Sequence, residues 1–128
     1  MSVSCDFIAE ALGAIGHPDT VSTLQKYLSC EFQEIAETCE LAVKRIQYLA
    51  DYGEEPKNIY GSIDPTPPSS ERNIEKLKDI FLDENQPIYD RYAAMFALRD
   101  LKTDDSIRIL TEGIVMPFYD RCASDETL

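Results

Sequence analysis

The sequence predicts an all-α fold, an α-α superhelix of stacked helical hairpins in two halves joined by a proline-rich linker. Three observations carry that prediction. The first is an internal match: residues 97–110 (ALRDLKTDDSIRIL) lie without gaps over residues 11–24 (ALGAIGHPDTVSTL), at a constant offset of 86. Agreement falls where a hairpin must bury side chains: Ala on Ala, Leu on Leu, Leu on Ile, Ile on Val and Leu on Leu, with an identical Asp after the turn. The second is a weaker copy 31 residues after the first, with Ala42, Val43 and Ile46 over Ala11, Leu12 and Ile15. Helix pairs recurring at this spacing bury their faces only by stacking on neighbours. The third is punctuation. Four of the seven prolines and two of the five glycines fall within residues 52–70, which no helix interior tolerates.

Each element is set by local signals. Residues 6–15 form a first helix with Ile8, Ala11, Leu12 and Ile15 as its stripe. Gly16 is placed to be its C-cap, His17 and Pro18 make the turn, and Pro18 suits the first position of the next helix. That helix runs to about Leu28 and carries Val21, Leu24 and Leu28. Residues 32–51 form the longest helix, on Ile35, Cys39, Ala42, Val43, Ile46 and Leu49. Its acidic start and its later Lys44 and Arg45 suit the helix dipole. After the linker a helix starts at residues 70–72 and uses Ile74, Leu77 and Phe81. Residues 83–87 then turn into a helix holding Tyr89, Tyr92 and Phe96. Thr103 or Asp104 caps the last helix, striped by Ile107, Ile109, Leu110 and Ile114. The expected organisation is 1–51, first-half repeats; 52–70, linker; 71–114, second-half repeats; 115–128, a divergent, frayed tail. Leu12, Ile15, Leu24, Phe96, Leu98 and Leu110 are the expected core.

Composition narrows the function classes. Twelve Lys and Arg against 24 Asp and Glu give a net charge of −12, which argues against nucleic acid or an anionic membrane as partner. The balance reads as a solvated surface kept soluble by repulsion or, more sharply, as an acidic face that attracts a basic protein. No apolar run approaches the length of a membrane span, and the first residues do not have the form of a secretory signal. Cys5, Cys30, Cys39 and Cys122 show no CxxC spacing and are expected as reduced thiols in the cytoplasm, Cys39 as a small core residue.

The chain offers little to residue-level chemistry. His17 is the single histidine, and its place before Pro18 suggests a turn-capping role rather than metal ligation. There is no HExxH, glycine-rich phosphate loop or GxSxG. Glu34, Glu37 and Glu40 on neighbouring turns read as a solvated face, and Tyr89, Tyr92 and Phe96 as packing.

Residues 9–16 (AEALGAIG) are similar to HEAT-like repeats of the phycocyanin-lyase type. With residues 36–42 (AETCELA), 62–68 (SIDPTPP) and 91–99 (RYAAMFALR), in this order, the chain resembles the deoxyhypusine hydroxylase family over about residues 6–114. The resemblance implies two halves of HEAT-like hairpins and a linker between them. It implies oxidation of the deoxyhypusine side chain on the precursor of translation initiation factor five-A, with two irons and dioxygen. The irons are held by His-Glu pairs, two in each half; imidazole and carboxylate suit non-haem iron. Counted back from residues 9–12, one pair falls on Asp6 and Phe7, and Phe has no donor. The other pairs would precede Met1 or lie beyond Ile114, and residues 115–128 contain no histidine. The resemblance therefore implies the central part of such a protein, as a fragment or truncated copy. No catalytic, cofactor-binding or metal residue is assigned, and no cofactor is expected in this chain alone. Expected partners are the five-A precursor or another basic protein, with self-association through uncapped repeat ends. The alternative is a small acidic HEAT-repeat module that binds a protein and catalyses nothing.

Overall fold

A computed structural model describes the backbone of residues 4–125 and the side chains of residues 4–115. The described residues are helical, with no strand, and divide into two compact units, Met1–Pro67 and Pro68–Leu128.

Unit 1 is built from α1 (Cys5–Ile15), α2 (Val21–Gln25) and α3 (Gln33–Tyr52). α1 stops where Gly16 takes the left-handed conformation (φ 76°) and returns its N–H to the Leu12 carbonyl at 3.0 Å. A side chain there would meet both that φ and Leu49 Cδ1, 2.6 Å from an added Cβ. His17 caps the turn as expected: its Nδ1 accepts the Asp19 N–H at 3.2 Å, and Pro18 opens a 3-10 turn, Pro18–Thr20. The expected helix to Leu28 is corrected, because regular winding ends at Gln25. From there the N–H groups of Lys26 and Tyr27 reach back only three residues, to Thr23 and Leu24, which tightens the chain into turns.

The core of unit 1 is Ala9, Leu24, Cys39, Ala42, Val43 and Ile46, with Leu12, Val21 and Ile35 packed against it. α1 meets α3 through its small residues. A Cβ on Gly13 would stand 3.0 Å from Ala42, so glycine sets the close approach of the two backbones. This corrects the expected stripe of α1. With Ala9 and Gly13 turned inward, Ile15 is 72% exposed and Ile8 48% exposed.

Unit 2 is built from α4 (Ile74–Leu82), α5 (Ile88–Leu101) and α6 (Asp104–Asp125). α4 begins later than the expected 70–72. The Glu71 carboxylate accepts the Arg72 and Asn73 N–H groups at 2.9 and 2.8 Å, and Asn73 then caps the helix by accepting from Glu75 and Lys76. α5 ends at Lys102, the positive-φ residue other than glycine among those described (φ 54°). Thr103 and Ser106 then form a reciprocal cap on α6: each backbone N–H donates to the other's hydroxyl oxygen, at 3.0 and 3.1 Å. The core is Leu77, Ala94, Ala97, Leu98 and Ile109, with Ile74, Ile80, Phe81, Leu101 and Leu110 around it. Gly113 is required here, since an added Cβ would fall inside the Phe81 ring.

Leu24 and Leu98 are buried as expected, and Leu12, Phe96 and Leu110 are half-buried. Ile107, expected on the inner stripe of α6, is 58% exposed because Ser106 and Ile109 take the inward positions. α6 runs on to Asp125, while the side chains of the expected tail from residue 116 onward lie outside the described residues.

Candidate functional site

Asp6 and Phe7 sit in the first turn of α1. Asp6 is half-exposed and accepts a hydrogen bond from the Ser4 hydroxyl, which holds its carboxyl below the usual aspartate value. Phe7 points away from the core and is 63% exposed. Among the described residues, no three His, Cys, Asp or Glu side chains come together as a metal ion would need. His17 is occupied with its turn, 61% exposed and 3.8 Å from Asp19.

The carboxylates of α3 are locally paired on its outer side. Gln33 donates to Glu37 at 2.7 Å, Lys44 pairs with Glu40 at 3.1 Å, and Glu34 is exposed. The aromatic stripe of α5 packs: the Tyr92 and Phe96 rings are 6.1 Å apart, and the Arg99 guanidinium lies 4.8 Å from the Phe96 ring centre. Cys5 is exposed, Cys30 half-buried and Cys39 buried, all three as free thiols, and burial pushes the Cys39 thiol up. Cys122 lies outside the described residues.

Two features escape a reading of the sequence. The first is Arg45, on the inner side of α3 and only 7% exposed. Its Nε donates to the Gly13 carbonyl at 2.9 Å, one of the orphan acceptors at the end of α1. Its Nη1 donates to the Asp64 carbonyl at 3.0 Å and forms an ion pair with Glu55. One buried cation thereby fastens the proline-rich segment to the first hairpin. Ser62 and Asn58 both donate to the Asp64 carboxylate, at 2.7 and 3.2 Å, which closes the segment on itself. A lone Arg in a helix whose face reads as charged carries no signal of burial; the proline run that needs an anchor is the sole hint.

The second is an apolar groove in unit 1, a cavity of about 200 Å³ among α1, α2 and the start of α3. Cys5, Ile8, Leu12, Leu24 and Tyr27 line it, and Cys39 reaches it from α3. Ile8, expected on the inner stripe of α1, supplies part of its wall.

The two hairpins also carry a recognised repeat: residues 7–30 and 90–115 match the PBS lyase HEAT-like repeat. The chain is 46% identical over 106 residues to deoxyhypusine hydroxylase of Gallus gallus, a match that covers 82% of this chain and 36% of that protein. It is 45% identical over 106 residues to the Homo sapiens deoxyhypusine hydroxylase, covering 82% and 35%. Against the Drosophila melanogaster deoxyhypusine hydroxylase the identity is 43% over 108 residues. The solved structure of human deoxyhypusine hydroxylase in complex with glycerol superposes with a TM-score of 0.77 at 45% identity, covering 83% of this chain and 37% of that one. The chain spans about a third of the length of the curated relatives it matches. No helix among the described residues is long and apolar enough to cross a membrane.

Proposed function

We propose, from the premise that this chain is a homologue of the deoxyhypusine hydroxylases over about a third of their length, that it supplies the repeat scaffold of that fold without a complete iron centre. The observation that carries this reading is the pair Asp6 and Phe7, at the place where the resemblance puts a His-Glu pair. An iron held there would have one carboxylate from Asp6, already engaged by Ser4, and nothing from Phe7. The residues present do not fit the metal, and no oxidation step is derived through them. By itself the chain does not hydroxylate deoxyhypusine.

What the scaffold retains is protein recognition. The relatives' name implies a protein-borne substrate, and the five-A precursor or another basic protein is the partner of choice for a chain of net charge −12. Attraction of that kind weakens steeply with salt. The free thiols of Cys5, Cys30 and Cys39 support a reducing, cytoplasmic setting.

The test is anaerobic loading with ferrous iron, desalting, and assay of retained iron and of hydroxylated product, with the human enzyme alongside. The expected result is neither retained iron pairs nor turnover above background. Near-stoichiometric iron with turnover would overturn the reading. Asp6→His with Phe7→Glu is expected to leave the chain inactive, because one restored pair does not make a two-iron site.

A further inference from the structure

We propose that Tyr52 is a tyrosine-phosphorylation site, used by a kinase with a basic substrate cleft, and that the added phosphate loosens the proline-rich segment from α3. Among the described residues Tyr52 is the most exposed tyrosine, at 71%. Tyr60 follows at 50% and Tyr27 at 47%, and Tyr48, Tyr89 and Tyr92 are half-buried. Tyr52 is also the last residue of α3, where the chain leaves the helix through Gly53 at φ 80° and runs on without a helix over residues 53–58. A helical tyrosine must unwind to enter a kinase cleft, and here only one turn stands in the way. That turn is closed by the Gly53 N–H on the Leu49 carbonyl at 2.8 Å and by the Tyr48 ring, 4.6 Å from that of Tyr52. Helix ends of this kind open at little cost.

Charge sets the kind of kinase. Asp51, Glu54 and Glu55 surround Tyr52, and residues 48–56 contain no Lys or Arg. A flank of that sign draws a basic cleft. The other two exposed tyrosines do not share it, since neither Tyr27 nor Tyr60 has an Asp or Glu within three residues. In the transfer, the phenolic oxygen bonds to the γ-phosphorus of ATP as the bond to the bridging oxygen breaks. ADP leaves, and the phenolic proton passes to the catalytic carboxylate of the kinase. The new negative charge then stands at the C-terminal end of α3, where the helix dipole is already negative, and three residues before Glu55. Glu55 pairs with Arg45, the cation that also holds the Asp64 carbonyl. Repulsion at this point pushes Glu55, and with it the segment, away from α3.

The experiment incubates the full chain with magnesium, ATP and a tyrosine kinase domain that selects acidic flanks. A peptide of residues 46–58 serves as the control that the kinase accepts this sequence. Mass spectrometry is expected to place the phosphate mainly on Tyr52, and Tyr52→Phe, which keeps the ring, should remove most of the incorporation. Asp51→Lys with Glu54→Lys, at two exposed positions outside the Arg45 contacts, should slow it about tenfold. Limited proteolysis should cut the phosphorylated chain within residues 54–64 about threefold or more faster than the unmodified chain. Tyr52→Phe carried through the same incubation should be cut as slowly as the unmodified chain. Failure of the kinase to modify Tyr52 in the chain, phosphate mainly on another tyrosine, indifference to the two Lys changes, or unchanged cleavage would overturn the inference. None of these readouts depends on the hydroxylase relationship, so one can fail while the other stands.

Discussion

Hairpin α1–α2 and hairpin α5–α6 pass through the same backbone events in the same order. Each first helix ends in a left-handed residue, Gly16 at φ 76° and Lys102 at φ 54°, 86 positions apart. The next residue in each, His17 or Thr103, caps the succeeding helical turn by accepting a backbone N–H. What differs is the covering. Unit 2 lays α4 on its hairpin and buries Ala94 and Leu98 completely, whereas unit 1 packs α3 on Ala9 and Gly13 of its hairpin and leaves Ile8 and Ile15 outside. Both units use an arginine from a neighbouring helix to satisfy a helix's last turn: Arg45 donates to the Gly13 carbonyl and Arg91 to that of Phe81, at 3.1 Å. Arg45 alone also holds the proline-rich segment. A repeat thus fixes how a hairpin turns, while its neighbours decide which of its faces is the core.

The comparison predicts unequal costs at equivalent positions. Leu98 is fully buried and Leu12 half-buried, so Leu98→Ala should destabilise by about 3–5 kcal/mol and Leu12→Ala by about 1–2 kcal/mol. Equal losses in urea unfolding would mean that the face bearing Leu12 is covered in solution after all. Arg45→Met should cost about 2–3 kcal/mol, because it leaves the Gly13 and Asp64 carbonyls and the Glu55 carboxylate without their donor. Arg91→Met removes a single bond at a half-buried position and should cost about 1 kcal/mol. Limited proteolysis separates the two: cleavage within residues 54–64 should rise in the Arg45 variant only.

The left-handed pair gives a change of sign. Gly16→Ala should cost about 1–2 kcal/mol, through its φ and the crowding by Leu49. Lys102→Gly should gain about 0.5–1 kcal/mol in thermal unfolding, since only glycine takes that conformation without strain. A loss at Lys102 would show that its side chain contributes more than the backbone strain it imposes.

Much of the fold was legible in the sequence because turns and caps are local. Gly16, His17, Pro18 and Thr103 declare their roles through residue type and spacing alone. The inward face of α1 was not. Periodicity marks where large apolar residues recur, and it chose Ile8 and Ile15. The contact with α3 is instead made by Ala9 and Gly13, whose lack of bulk is what lets the backbones meet. The groove was hidden for the same reason, since Ile8 and Leu12 in its wall were assigned to the inner stripe of α1. Arg45 was hidden because burial of a cation depends on carbonyls far along the chain, at Gly13 and Asp64, which no local pattern brings together.

The central claim is that one hairpin pattern is covered in unit 2 and open in unit 1. Amide hydrogen exchange on the full chain tests it most directly, read at positions paired by the 86-residue offset. The account predicts that amides of residues 94–98 in α5 exchange about tenfold or more slowly than those of residues 8–12 in α1. Equal protection of the two stretches, or faster exchange in α5, would contradict it.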